Sequence, residues 1–147
     1  MIKDKVAIIT GASSGIGFAT ALALSKAGAK VAIGARRVDR LEELAKKITS
    51  EGGEVFFQKL DVTQRSECEN FAKAVLEKWG SIDILVNNAG LMPLSLFKSL
   101  KVDEWDRMID VNIKGVLYST GAVISHMKEK KSKLQEYFQR YSFNVRL

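Results

Sequence analysis

The chain has 147 residues, which is long enough for one domain with a buried core, and 46% of them are hydrophobic. Its formal net charge of +6 does not indicate a general nucleic-acid-binding surface, because residues 128–147 alone hold six lysines or arginines against two glutamates. A single proline and the lack of low-complexity stretches exclude a long disordered linker.

Nothing in the sequence indicates secretion, a membrane span or a metal site. Cys68 is the only cysteine, so no internal disulfide can form. The apolar run at residues 6–9 is too short for the apolar region of a signal peptide or for a transmembrane helix. We therefore expect a cytoplasmic protein that contacts no membrane and no nucleic acid.

Apolar strand-like runs and helical periods alternate along the chain. Strands are predicted at residues 6–9, 31–33, 55–60 and 82–86, and helices at about 15–27, 41–48, 66–79 and 102–124. The strand segments are mostly apolar and do not alternate with polar residues, which is typical of a parallel sheet covered by helices on both faces. Because crossovers between parallel strands are right-handed, the pattern predicts a doubly wound, Rossmann-like α/β fold.

A glycine-rich turn, residues 10–17, joins the first predicted strand to the first helix. Gly11, Gly15 and Gly17 allow a sharp turn and let a pyrophosphate approach the main chain. The N-terminus of the helix then offers unpaired N–H groups and a favourable dipole to that anion. The plainer alternative is that these glycines only form a tight strand-to-helix turn.

Four motifs in this order resemble those of the classical short-chain dehydrogenases/reductases, over residues 2 to about 131. They are the glycine turn with Gly-x-x-x-Gly-x-Gly spacing, Asp61-Val62, Asn87-Asn88-Ala89-Gly90 and Asp110-Val111-Asn112. The resemblance implies an incomplete NAD(P)-binding Rossmann domain, the N-terminal part of such an enzyme. Its four strands would lie in the order 3-2-1-4, with the fourth strand at an edge.

The resemblance also assigns roles to individual residues around a dinucleotide. The glycine turn would line the pyrophosphate and ribose, Asp61 would accept a hydrogen bond from the adenine amino group, and Asn88 would border the adenosine. A structural link between strands is the alternative role for Asn88. The full cofactor-binding set is Gly11, Ser13, Ser14, Gly15, Ile16, Gly17, Arg36, Arg37, Asp61, Val62, Asn88, Ala89 and Gly90.

The end of the second strand predicts a preference for NADP(H) over NAD(H). An acidic residue there would bond the ribose hydroxyls and repel a 2′-phosphate, but this chain has Ala35 followed by Arg36 and Arg37. A guanidinium group forms paired, charge-assisted hydrogen bonds with phosphate. Arg36 is expected to be the main contact and Arg37 a secondary one; the alternative is that both are solvated residues at a helix start.

The residues that carry the family's chemistry are missing. Members use a serine and a Tyr-x-x-x-Lys pair, in which lysine lowers the tyrosine pKa, and an asparagine from the preceding helix. Tyr118, Tyr137 and Tyr141 each lack a lysine four residues later, so only the asparagine, Asn112, is present. Tyrosine titrates near pH 10 without such help, so we expect no useful dehydrogenase activity from these residues alone.

The family pattern ends at about Ser132, which separates residues 1–131 from a divergent basic and aromatic tail at 132–147. A frameshift, a truncated gene or an alternative transcript would produce such a change. Leu134, Tyr137, Phe138 and Tyr141 have helical spacing and would cover exposed apolar surface, although chance also explains four positions. The apolar face that these four residues would form is only two helical turns long, which is too short to favour a role for the tail in membrane or nucleic-acid binding.

Two functions therefore stay open from the sequence. The first is an NADP-dependent oxidoreductase acting on an alcohol/carbonyl pair, with small substrates only for a full-length form. The second is a non-catalytic remnant or regulator that binds NADP(H) or a related nucleotide. Members of the family pair through helices near residues 102–124 and through a helix after a fifth strand. Because the second helix is missing here, a homo-oligomer is one expectation and the oligomeric state stays open.

Overall fold

Four parallel strands form one sheet in the computed structural model, which describes residues 2–129. The strands are β1 (Val6–Thr10), β2 (Lys30–Ala35), β3 (Val55–Lys59) and β4 (Ile84–Val86). Their order is β3-β2-β1-β4, with Val6 opposite Lys30 and Ala7 opposite Ile84. The predicted Rossmann-like fold and its strand order are confirmed.

Helices connect successive strands and cover both faces of the sheet. They are α1 (Gly15–Lys26), α2 (Val38–Ser50), α3 (Arg65–Trp79), α4 (Val102–Ile109) and α5 (Gly115–Glu129). A 3₁₀ turn occupies Phe97–Ser99, and a π turn at Asp110–Lys114 joins α4 to α5. Within the described residues, no helix is both long enough and apolar enough to cross a membrane.

The last helical segment differs from its prediction. Sequence periodicity predicted one helix ending near residue 124, whereas helical structure runs to Glu129 and contains the π turn. The helix continues past the polar Ser125 and His126 because Met127 is buried one turn after Val123. The π turn has no counterpart in the apolar pattern, since it is a local widening of the backbone.

Two apolar cores explain why the strands lack an alternating polar face. On one side of the sheet, Ile8 and Leu85 pack with residues of α3 and α5 such as Phe71 and Val123. The opposite side buries a second cluster that includes Ile9, Ile33, Ala21, Leu41 and Leu44. Successive strand residues point to opposite faces, so both faces need apolar side chains. This sandwich leaves the carboxyl ends of the strands open for the site.

The 16 residues from 132 to 147, with the predicted tail stripe, lie outside the described residues. The division of the chain at residue 131 also falls outside them, because the description ends at residue 129. Both expectations therefore stay predictions.

Candidate functional site

A cleft of about 510 Å³ opens at the carboxyl ends of the strands, the usual ligand position in an open parallel sheet. Its walls come from four segments, which are the glycine turn after β1, the β2–α2 junction, the segment after β3 and the segment after β4, and from Val111 of the π turn. Its lining residues are Gly11, Ser13, Ser14, Gly15, Ala35, Arg36, Arg37, Leu60, Asp61, Val62, Asn88, Ala89, Gly90, Leu91 and Val111.

The glycine turn has a backbone that other residues would strain. Gly11 has φ +68° and Gly15 has φ +60°, both in the left-handed region. A Cβ atom on Gly11 would also lie 2.7 Å from the Cα of Ala89. Ser14 precedes α1 as its N-cap, yet its side chain makes no capping hydrogen bond. The first turn of α1 therefore keeps backbone N–H groups that can bind an anion.

Thr10 and Asn88 join the end of β1 to the loop after β4. The Thr10 hydroxyl accepts hydrogen bonds from the backbone N–H groups of Asn88 (3.1 Å) and Ala89 (3.0 Å). In return, Asn88 Nδ2 donates to the carbonyl oxygens of Thr10 (3.0 Å) and Gly11 (3.1 Å). Thr10 is 2% exposed and Asn88 6%, so this network fixes the floor of the cleft.

Asn88 thus makes the contacts of the structural link that was its alternative role, and it lines the cleft as well. Its Oδ1 atom is buried and has no hydrogen-bond partner within residues 2–129. A buried amide oxygen without a partner is costly, so a donor supplied by a ligand would stabilise it.

Asp61 is held so that one carboxylate oxygen stays available. Its Oδ1 atom accepts hydrogen bonds from the Thr63 backbone N–H (3.0 Å) and hydroxyl (2.8 Å). The Asp61 backbone N–H donates to Glu67 Oε2 at 2.7 Å, which ties the residue to the start of α3. In the described part of the chain, Oδ2 has no partner, so it can accept a hydrogen bond from an amino group.

The two arginines differ in their surroundings. Both are exposed and line the cleft, beside Ala35, which is 5% exposed. One terminal nitrogen of Arg37 donates hydrogen bonds to the hydroxyls of Ser13 (3.0 Å) and Ser14 (2.8 Å). Arg36 has no hydrogen bond or ion pair with any described residue. This rim of the cleft is positively charged and carries no acidic partner for either guanidinium within that part.

Asn112 lies outside the cleft lining and acts on it through Leu91. Its Nδ2 donates to the Leu91 carbonyl at 2.8 Å, and its Oδ1 accepts from the Leu91 N–H at 2.9 Å. Both ends of the side-chain amide are therefore used to hold the main chain of Leu91. Asn112 itself is part of the π turn.

Most of the predicted cofactor residues are brought together. All of them except Ile16 and Gly17 line the cleft; Ile16 is 61% exposed, and Gly17 packs beneath the turn against Asn88. The prediction did not include Leu60, Leu91 and Val111, which are apolar and carry no signal distinct from that of core residues.

Other reactive groups lie away from the cleft. Cys68 is 3% exposed, and burial raises the pKa of its thiol, an effect partly opposed by the hydrogen bond with Ser119. A buried thiol of raised pKa is a poor nucleophile. Among residues 2–129, no group of His, Cys, Asp and Glu side chains is placed to hold a metal ion.

The parallel sheet, the glycine turn and the cleft at the strand ends define a dinucleotide-binding Rossmann-type domain. The chain belongs to the short chain dehydrogenase family, whose model matches residues 5–133. The predicted family resemblance is therefore confirmed.

Relatives of known sequence agree with this assignment. An uncharacterized oxidoreductase of Staphylococcus saprophyticus is 51% identical over 131 residues, which are 89% of this chain and 52% of that protein. A glycine betaine reductase of Emericella nidulans is 47% identical over 126 residues, 86% of this chain and 10% of that protein. Like the Staphylococcus protein, an uncharacterized oxidoreductase of Listeria monocytogenes is matched over about half its length.

Solved structures show the same relation. An alcohol dehydrogenase of Thermococcus sibiricus, complexed with 5-hydroxy-NADP, has a TM-score of 0.87 and 42% identity to this chain. The match covers 91% of this chain and 57% of that enzyme. A short-chain dehydrogenase/reductase of Mycobacterium marinum also has a TM-score of 0.87, at 34% identity, covering 92% of this chain and 56% of its own.

Proposed function

We propose that this chain binds NADP(H) in preference to NAD(H) and forms the cofactor-binding part of an alcohol/carbonyl oxidoreductase. The observation that carries the proposal is the pair Arg36 and Arg37 on the cleft rim, where Ala35 stands in place of an acid. A guanidinium binds a phosphate dianion through charge-assisted hydrogen bonds, whereas an acid would repel it.

The groups left without partners match the parts of a dinucleotide. The N-terminus of α1 and the glycine turn would hold the pyrophosphate, and Asp61 Oδ2 would accept from the adenine amino group. Arg36 would contact the 2′-phosphate first, with Arg37 beside it. Val62, Ala89 and Gly90 would complete the adenosine wall. When bound, the reduced cofactor supplies the hydride for a carbonyl substrate.

These residues alone would not complete the reaction. Carbonyl reduction needs a proton donor at the substrate oxygen, and Tyr118 has no lysine four residues on to lower its pKa. Asn112 uses its side-chain amide on Leu91 rather than pointing it into the cleft. Turnover of a small alcohol or carbonyl substrate would therefore need the family's serine and Tyr-x-x-x-Lys pair in addition to these residues. The alcohol dehydrogenase and the glycine betaine reductase among the relatives support this class of reaction.

A nucleotide-binding protein without catalysis is the second candidate. It is favoured by the completeness of the adenosine side, where the Thr10–Asn88 network and Asp61 are already oriented. Under either function, copies would associate through the exposed apolar residues Ile109, Ile113 and Leu117, which are spaced four residues apart along α4, the π turn and α5.

Titration with NADPH and with NADH, followed by cofactor fluorescence, tests the proposal. We expect saturable binding with NADPH favoured, and Arg36→Ala should weaken NADPH binding by about tenfold or more while changing NADH binding little. Arg40→Ala is the matched control, because Arg40 lies in α2, pairs with Glu43 and does not line the cleft. Equal losses for both cofactors would contradict the preference, and no saturable binding would refute both candidates. Binding without alcohol oxidation is expected under both candidates, because these residues alone would not complete the reaction, whereas alcohol oxidation by this chain would exclude the second.

A further inference from the structure

The side chain of Arg37 bridges two segments that are far apart in the sequence. Arg37 is the N-cap residue of α2, and its guanidinium reaches Ser13 at 3.0 Å and Ser14 at 2.8 Å in the glycine turn. All three residues line the cleft. The guanidinium therefore crosses the rim between the end of β2 and the start of α1, where an adenine ribose would lie in a Rossmann-type site.

This bridge is separate from the contacts that hold the two segments in place. Below it, the Gly34 carbonyl accepts hydrogen bonds from the Gly11 N–H at 2.7 Å and the Ala12 N–H at 3.4 Å. Those bonds belong to the backbone and do not depend on Arg37. The Ser14 hydroxyl does not cap α1, and Arg37 is its partner in the described structure. The side-chain bridge can therefore open without disturbing the fold.

We propose that Arg37 is a specificity-determining latch, closed on Ser13 and Ser14 in the free protein and opened by a phosphate on the adenine ribose. This proposal rests on the proposed function, because it presupposes NADP(H) binding and adds how NAD(H) is disfavoured. A guanidinium paired only with neutral hydroxyls gains when a dianion replaces them, because charge-assisted bonds are about twice as strong. A ribose with a bare 2′-hydroxyl offers no such gain. Both cofactors must break the hydrogen bonds of the latch, which lowers the affinity for NAD(H). Only the 2′-phosphate of NADP(H) offsets that loss with new bonds to Arg37.

The latch gives the two arginines different functions. Arg36 has no partner among the described residues, so its removal takes away attraction for the phosphate and nothing else. Removal of Arg37 takes away attraction and also opens the rim. Arg37→Ala should therefore weaken NADPH binding and tighten NADH binding, whereas Arg36→Ala should leave NADH binding unchanged. If Arg37 were only a second phosphate ligand and not a latch, Arg37→Ala would weaken NADPH binding and leave NADH binding unchanged, as expected for Arg36→Ala.

Ser14→Ala provides the sharper test, because it removes the shorter of the two bonds that close the latch and leaves both charges in place. Ser14 is exposed and its hydroxyl has no capping role, so the variant keeps the fold. We expect NADH to bind about three- to tenfold more tightly, the value of one exposed hydrogen bond. Ser14→Thr retains the hydroxyl and should behave as the unmodified chain.

Amide hydrogen exchange of the unliganded protein provides a second measurement. Residues 13–17 should exchange faster in Arg37→Ala and Ser14→Ala than in the unmodified chain or in Arg36→Ala. Unchanged exchange in Arg37→Ala, or unchanged or weaker NADH binding in Ser14→Ala, overturns the latch alone if the unmodified chain still prefers NADPH. If the unmodified chain binds neither cofactor, the proposed function and the latch are both wrong.

Discussion

The adenosine side of the cleft and the side of the molecule formed by the chain past Gly90 are built differently. On the adenosine side, the end of β1, the glycine turn and the loop after β4 are joined by hydrogen bonds among residues that are nearly inaccessible, such as Thr10 and Asn88. Past Gly90, the chain instead exposes large apolar side chains. Those more than half exposed are Leu94 at 84%, Phe97 at 79%, Leu96 at 67%, Leu100 at 64% and Leu117 at 60%.

The difference shows that short segments close to the sheet are enough to build the adenosine side of the site. The adenosine side needs only backbone turns and short polar side chains, which β1, β2 and the adjoining loops supply. In the segment from Leu91 to Leu117, Asn112 holds the main chain of Leu91, and Phe97 stacks on Trp105 with ring centroids 5.2 Å apart. The other side-chain links within it are two exposed ion pairs, Lys101–Glu104 and Lys114–Asp110. Apolar surface of this extent is typical of an interface. Substitutions should therefore lower the free energy of unfolding strongly on the adenosine side and only slightly in the segment past Gly90.

Among substitutions in these two regions, Thr10→Val should have the largest effect. Valine keeps the volume but removes the hydroxyl that serves two backbone N–H groups, leaving both buried without a partner. We expect the free energy of unfolding to fall by about 2–4 kcal/mol in urea denaturation. Thr10→Ser, which keeps the hydroxyl, should lose much less. A Thr10→Val variant as stable as the unmodified chain would show that the adenosine side is not held by this network.

Gly17→Ala tests the packing under the glycine turn. The added Cβ would clash with the Asn88 side-chain amide and lie 2.8 Å from the Gly11 carbonyl oxygen. We expect a loss of about 1–3 kcal/mol in unfolding free energy, since the neighbouring groups are themselves bonded. Gly121→Ala is the matched control, because a Cβ at that helical position meets no atom within 4 Å. It should stabilise α5 slightly, and equal losses at both sites would contradict the packing argument.

Asn112→Ala tests the contact between the two sides. It removes two hydrogen bonds to the Leu91 main chain, so we expect a loss of about 1–2 kcal/mol in unfolding free energy. Hydrogen exchange should increase at residues 91–102 and stay unchanged at 11–17. Faster exchange in both regions would mean that the two sides are not independent. Asn112→Asp retains the acceptor but loses the donor, so its unfolding free energy should lie between that of the unmodified chain and that of Asn112→Ala.

Leu94→Ser should have the smallest effect. Its side chain is 84% exposed, so little apolar burial is lost, and we expect a change within about 0.5 kcal/mol. Leu85→Ala, at a fully buried position of β4, should cost about 2–5 kcal/mol in the same denaturation experiment. A large loss at Leu94 would show that this residue is covered in solution, and analytical ultracentrifugation would then identify a self-associated state.

Much of this arrangement could be predicted from local pattern. The runs that start at Val6, Val31 and Val55 open with three or more apolar residues. Gly11 and Gly15 mark the turn, because each needs a backbone that other residues avoid. Arg36 and Arg37 could be predicted as phosphate ligands because they directly follow β2 and carry guanidinium groups. These features depend on neighbours in the sequence, and sequence reasoning reaches them directly.

The rest depends on contacts between distant segments. Leu91 and Val111 line the cleft as apolar residues, so composition could not separate them from the core. The bonds from Arg37 to Ser13 and Ser14 depend on the conformation of a long side chain, which no periodicity encodes. The π turn widens the helix at Asp110–Lys114 without any glycine or proline to mark it.

The π turn also constrains how this part of the chain can change in length. In the helix that follows it, the buried residues Gly115, Ser119, Val123 and Met127 all recur at intervals of four. Deleting one residue between 110 and 114 would rotate the whole of α5 by about 100° and carry that buried stripe off the core. Gly115 would leave its place against Val62, where a Cβ would lie 2.6 Å from Val62 Cγ2. Single-residue insertions and deletions should therefore be tolerated in the loop before α4 and selected against within the turn.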